Sequence, residues 1–279
     1  MPPVTTTSSA LDRTRRNEKL GTFAERFPIL FEPTGRLQKA AKIIAVLRDA
    51  YGDGLATATL LEVGASTGIM TAAFAEVCDR VVAFDLDRVA LHAGAELTGG
   101  IPAAAQRVRF LVGDGCSMPV AGDAVDVVVC NHVYEHVEDA RALMDEIHRV
   151  LRPGGVCYFG IGTRHVLVEG HYKLPFLSWL PPHLADVYIR RGGRNLAYDV
   201  KLLSYRNLRK LVRRFIVCDY TLKIIRRPDE YAALDVLGGR RWLARVPIRV
   251  LKAVRPFLPV QVWILRKAPI LKTESTHNT

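Results

Sequence analysis

The chain has 279 residues, 49% of them hydrophobic, enough apolar material for one large α/β domain with an appendage. No apolar run approaches the ~18–20 residues that a membrane-spanning helix needs, and the five cysteines show no C-x-x-C pairing, which favours buried thiols in a reducing compartment. The formal net charge of +11 is unevenly placed: residues 190–272 hold 21 Lys/Arg against 5 Asp/Glu and the remainder 18 against 23, so the second part suits an anionic partner.

Residues 1–20 are polar, charged and aperiodic, and read as a disordered segment. The Pro/Thr/Ser-rich start carries no apolar stretch of the secretory type. Over residues 36–51, Leu37, Ala40, Ala41, Ile44 and Leu47 recur at helical spacing, and Gly52-Asp53-Gly54 closes the helix. Short apolar runs at 59–63, 80–84, 108–112, 124–130 and 155–161 then alternate with helical patterns near 68–77, 88–97 and 140–151. That alternation predicts a parallel sheet covered by helices on both faces. Ligands of such sheets bind beyond the carboxyl ends of the strands where strand order reverses, and the first strand belongs at that point. Residues 163–200 lose the period and contain three His, Trp179 and Pro181-Pro182, the composition of a lid over the site edge. A helix at 203–214, a strand at 215–225 and a last strand at 260–266 resume the core. The expected organisation is a leading segment 1–20, a core 21–163, a lid 164–202, the end of the core 203–270 with a basic helical insertion at 226–258, and a tail 271–279.

Chemistry concentrates at Leu60-Leu61-Glu62-Val63-Gly64-Ala65-Ser66-Thr67-Gly68, an apolar strand running through a glycine turn into a helix. Such a turn lets a ligand approach the backbone at the positive end of the helix. Glu62 precedes the turn and Asp85 closes the next apolar run. Two flanking acids suit a ligand with a positive charge and a ribose better than one carrying phosphates. The same loop spells G-x-S-x-G, as in a hydrolase nucleophile elbow, but that fold needs several strands before its elbow and here only one helix precedes it. The dinucleotide pattern G-x-G-x-x-G fails at Ser66 and Ile69.

With these elements placed, the sequence resembles the class I S-adenosylmethionine-dependent methyltransferases over residues 36–163, and loosely over the last two strands. Glu62-Val63-Gly64-Ala65-Ser66-Thr67-Gly68 resembles the acid-x-G-x-G-x-G motif, with Ser66 at the middle glycine. Asp126-Val127-Val128-Val129-Cys130-Asn131-His132 matches the fourth strand, Val112-Gly113-Asp114-Gly115 the adenine-side segment, and Leu151-Arg152-Pro153-Gly154-Gly155 the turn into the fifth strand. The resemblance implies a Rossmann-like sheet of seven mostly parallel strands with helices on both faces, the last strand antiparallel, plus a helical lid and a basic amphipathic C-terminal helix. It implies S-adenosyl-L-methionine as cofactor, held by Glu62, Gly64, Ala65, Ser66, Gly68, Asp85, Leu86, Asp114, Gly115 and Asn131. Asp85 would accept from both ribose hydroxyls and Asp114 from the adenine amine.

For the reaction itself, His132 comes first past the fourth strand, and an imidazole that titrates near neutrality can take a proton from a hydroxyl. In the lid, His171 is the second catalytic candidate, with His165 a further substrate contact, among stiff prolines and aromatics that would exclude water. His132-x-x-Glu135-His136 resembles the E-x-x-E-H metal site of some methyltransferases, but Glu-His-Val is common in metal-free relatives, so no metal is expected. Near the end, Arg241, Arg245, Arg249, Lys252 and Arg255 fall in a stripe of about 120° at ~100° per residue, with apolar residues around it and Pro247 kinking or splitting the helix. The pattern fits a helix in a membrane interface and equally a helix packed on the core with its cations in water. The expected activity is O-methylation of a small or lipid-linked hydroxyl, with sugars or glycolipids favoured. The alternatives are C-methylation of a quinone-like acceptor and a non-catalytic cofactor-binding partner. The expected setting is cytoplasmic, extending to peripheral attachment at an anionic membrane. Nucleic acid is disfavoured for want of any RNA-binding module.

Overall fold

The computed structural model describes residues 32–170, 172–192, 198, 200–233 and 241–270; the expected leading segment 1–20 and tail 271–279 lie outside them. Helix α1 (Pro33–Tyr51) starts with Pro at its first turn and ends on Gly52, whose φ of 70° only glycine adopts without strain. The chain then alternates β1 (Thr59–Val63), α2 (Ile69–Ala75), β2 (Arg80–Asp85), α3 (Arg88–Gly99), α4 (Pro102–Arg107), β3 (Val108–Val112), β4 (Val125–Asn131), α5 (Ala140–Val150) and β5 (Leu151–Ile161). Asp87 caps α3 and Asp139 caps α5, each carboxylate accepting from two backbone N–H groups of its first turn. After the lid come α6 (Pro182–Arg191), α7 (Tyr205–Leu211), β6 (Ile216–Asp219), α8 (Thr221–Arg226), α9 (Ile248–Val254) and β7 (Gln261–Arg266).

The seven strands form one sheet in the order β3-β2-β1-β4-β5-β7-β6. All neighbours pair in parallel except β7, which runs antiparallel to both β5 and β6. Strand order reverses between β1 and β4, as expected, so the carboxyl ends of these two strands frame the crevice. Side chains alternate across the sheet. Leu60, Val127, Val129, Val156 and Tyr158 join α1 and α2 in one buried cluster, while Leu61, Val128, Cys130, Cys157 and Phe159 join α5 and α7 in the other. No helix among the described residues is long and apolar enough to cross a membrane.

One expectation is corrected here. The run 215–225 is not one strand: β6 stops at Asp219, whose Oδ1 accepts from Thr221 N at 2.9 Å and turns the chain into α8. In the basic segment Pro247 splits the helix, one of the two outcomes expected of it. Pro247 separates a 3₁₀ turn at Arg241–Arg245 from α9, and Arg255 leaves the cationic stripe to pair with Asp219 at 2.9 Å.

Candidate active site

The turn after β1 is held from three sides. Gly64 N and Ala65 N both donate to Phe84 O at the end of β2, at 2.8 and 3.1 Å. Gly64 has φ +77°, and a Cβ there would meet Val133 Cγ2 at 2.6 Å, so the loop after β4 lies directly on the turn. Gly68 has φ +69°, and a Cβ there would come within 2.7 Å of Gly94 Cα in α3. Ser66, at φ 51°, adopts the same left-handed region without being glycine. Its backbone N donates to Asp85 Oδ2 at 2.8 Å, which is what the turn gains from that conformation. The substitution at the middle glycine is therefore accommodated by the backbone, and the serine hydroxyl is buried with no hydrogen-bond partner.

Glu62 is fully buried at the end of β1. Its Oε2 accepts from Thr71 Oγ1 at 2.6 Å, whereas Oε1 has no partner. Burial pushes this carboxyl up to about 8, against the pull of Thr71 and Arg36. Arg36, from α1, faces both Glu62 and Asp85, and its own burial holds the guanidinium below its ordinary value. Sequence reading missed Arg36 as a site residue; it opens an amphipathic helix far from any motif, and only the packing of α1 brings it here.

Asp85 is raised by burial but held back by the backbone N–H groups of Asp87, Ser66 and Leu86, so its two oxygens are aimed by the chain on either side. Asp114 is fixed by Cys116 N at 2.8 Å on Oδ1. Gly115 beside it lies against β1, where a Cβ would stand 3.6 Å from Val63 Cγ1. Glu62, Gly64, Ala65, Ser66, Gly68, Asp85, Leu86, Asp114 and Gly115 thus line the ends of β1, β2 and β3. Asn131 ends β4, and its amide fills the space beside Gly160, 2.1 Å from where a Cβ would sit, so it leans over β5.

His132 follows with φ +56°, a conformation strained for a histidine, and its N donates to Gly160 O at 2.8 Å. Its Nδ1 stands 3.1 Å from Glu135 Oε1. Burial would raise Glu135, but the hydrogen bond from His132 and the charges of His132 and His136 bring it below the ordinary carboxylate value. An ionised carboxylate only accepts, so Nδ1 carries the hydrogen and Nε2 is the nitrogen left to take a proton. Tyr134, two residues on, is an anchor: its hydroxyl donates to Gly162 O at 2.8 Å and accepts from Leu203 N at 3.2 Å, and burial pushes it well above its ordinary pKa. His165 sits between the rings of Trp179 and Phe257. His171, the second catalytic candidate, lies outside the described residues. No cluster of three or more metal-ligating side chains occurs among the described residues.

Residues 61–159 match the family profile of a methyltransferase domain. An uncharacterized methyltransferase of Mycobacteroides abscessus (strain ATCC 19977) is 30% identical over 280 residues, covering 98% of this chain and 95% of that protein. The chain belongs to the class I S-adenosylmethionine-dependent methyltransferases. The fold agrees. The YcgJ protein of Bacillus subtilis superposes with a TM-score of 0.53 at 14% identity, over 82% of this chain and 98% of that one. Phosphoethanolamine N-methyltransferase 2 of Haemonchus contortus, solved with phosphomonomethylethanolamine and S-adenosylhomocysteine, gives a TM-score of 0.51 at 18% identity, over 82% of this chain and 52% of that one. For this methyltransferase, family membership implies use of S-adenosylmethionine.

Proposed function

We propose that this methyltransferase holds S-adenosylmethionine across the turn after β1 and methylates a hydroxyl of a small or lipid-linked acceptor, a sugar or glycolipid in preference, with His132 as the general base. The residues fit the cofactor. Glu62 Oε1 and Ser66 Oγ are buried polar atoms without partners, one on each side of the turn. A buried group left in that state costs about 1–3 kcal/mol, so a polar ligand that satisfies it gains that much. Asp85 accepts Ser66 N–H on Oδ2 and Asp87 N–H on Oδ1, with Leu86 N–H also turned toward it, and still has lone-pair capacity for a ribose hydroxyl.

When bound, the cofactor supplies a methyl group on a positively charged sulfur, ready for in-line displacement. The chain's own part is alignment and proton removal. His132 Nε2 accepts the proton of the acceptor hydroxyl, and Glu135, fixed on Nδ1, orients the ring and stabilises the imidazolium that forms. The 3.1 Å contact between His132 and the buried Glu135 carries this reading. A base paired with a buried carboxylate suits an oxygen nucleophile, whose proton must leave as the methyl arrives.

The test is turnover of a lipid and glycan extract with isotope-labelled methyl donor, read by mass spectrometry. His132→Ala should lower the rate by ~10²-fold or more with cofactor affinity retained. Full turnover in that variant, or a label attached to carbon, would defeat the reading.

A further inference from the structure

Beyond the crevice the molecule exposes a row of aromatic rings. Phe176 lies 5.9 Å from Trp179, Trp179 5.6 Å from His165, and His165 6.2 Å from Phe257, measured between ring centroids. Phe176, Trp179 and Phe257 are 53%, 42% and 48% exposed, far more than rings of this size are when they serve a core. The row joins two stretches distant in sequence, the lid and the segment after α9, and Thr163 Oγ1 ties them by donating to Pro256 O at 3.1 Å. Thr163 stands just past β5, so the row begins at the carboxyl edge of the sheet, beside the crevice.

The lid is built to hold these rings outward. Glu169 is buried, its carboxylate accepts from Tyr172 N at 2.6 Å, and its backbone pairs with Leu174 and Lys173. Leu167 and Val168 then face solvent, Val168 forming an isolated antiparallel bridge with Pro175. Phe176 is kept at φ +54°, a costly conformation for an aromatic residue. Trp179 satisfies its one donor internally, Nε1 to Val166 O at 2.8 Å, and offers solvent only its ring. Towards the N-terminus from Phe257, Val254 and Val250 are exposed on either side of Lys252, with Arg249, Arg245 and Trp242 before them. None of these three cations forms an ion pair among the described residues, in contrast to Arg255, which pairs with Asp219.

We propose that this face, comprising the lid tip around Phe176 and Trp179 and the segment 242–257, docks on an anionic lipid membrane. Exposed aromatic and branched aliphatic side chains interleaved with Arg and Lys match a surface that is apolar beneath and negative above. A second copy of the chain would bring the same cations face to face, and a neutral protein partner would leave them without counter-charge. The crevice opens beside the docked face, so an acceptor anchored in the bilayer would reach His132 without leaving it. The docking itself is independent of the acceptor and of the base assigned above.

The full-length chain should be sedimented with vesicles of phosphatidylcholine alone and of phosphatidylcholine with phosphatidylglycerol, with no methyl donor present. Binding to the anionic vesicles at low salt, loss at high salt and a blue shift of tryptophan emission are expected. Paired substitution Arg249→Gln with Lys252→Gln should lower partitioning by roughly 30-fold, since each cation near such a surface contributes roughly fivefold. Phe176→Ser with Phe257→Ser should lower binding at unchanged charge, both double variants keeping the thermal midpoint of the parent. Protein that stays in the supernatant with both vesicle types would overturn the proposal. So would a vesicle-independent dimer that the Phe176→Ser, Phe257→Ser variant dissociates.

Discussion

Glu62 and Glu135 are both buried carboxyls, and their environments push them in opposite directions. Glu62 has one hydroxyl donor and a burial cost that raises it to about 8; Glu135 has an imidazole at 3.1 Å and falls below its ordinary value. The consequence for Glu62 is a pH dependence of stability with a defined sign. The unfolded chain releases this proton near 4.5 while the folded chain holds it up to about 8, so stability is lost as pH rises between those values. Glu62→Gln cannot release a proton, and its thermal midpoint should therefore fall less than that of the parent over the same range. Equal slopes would mean that Glu62 is ionised in the fold. For Glu135 the expectation concerns rate. Glu135→Gln keeps a hydrogen-bonding partner for His132 but removes the charge, and should lower kcat by roughly tenfold or more with cofactor affinity unchanged. An unchanged kcat would reduce Glu135 to a packing role.

Among the elements, the tightest constraint is the contact of the glycine turn with α3. Gly68 and Gly94 meet backbone to backbone, and Gly68 also needs a left-handed φ, so both sterics and conformation exclude a side chain there. Gly68→Ala should cost roughly 2–4 kcal/mol in denaturant unfolding, the sum of backbone strain and a clash that α3 must move to relieve. A loss under about 1 kcal/mol would show the turn to be compliant. The same elements show what was legible beforehand. The strands of the parallel sheet were readable because β1, β2 and β4 are buried on both faces and so appear as short, mostly apolar runs, interrupted only by Glu62 in β1 and Asp126 in β4 and bounded by turns. The run 215–225 is apolar in the same way, and nothing in its period separates β6 from α8; the break depends on Asp219 capping Thr221. A helical lid was expected, but the place of α6 within it was not, because prolines and histidines obscure the period although Ala185 and Ile189 stand at helical spacing. The acids of the crevice could be named from motifs, since each lies at a strand end. The buried state of Glu135, the left-handed backbone of His132 and the reach of Arg36 come from tertiary packing and leave no local signal.

At the scale of the whole molecule, the reversal of strand order at β1 and β4 sets the crevice, and the lid and the segment before β7 flank its edge. Glu62 and Asp85 stand at the crevice, where a cationic cofactor is expected, and Arg245, Arg249 and Lys252, which form no ion pair among the described residues, lie on the aromatic face beside it. One chain thus presents two surfaces of opposite preference within reach of each other. The methyl donor is assigned to the crevice at the carboxyl ends of β1 and β4, with Asp85 at the end of the neighbouring β2 as its polar anchor. Calorimetric titration of S-adenosylmethionine into the full-length chain and into Asp85→Ala tests it most directly. One saturable site is predicted in the parent, weakened by at least roughly tenfold in the variant as charge-assisted hydrogen bonds are lost; the same affinity in both proteins would contradict it.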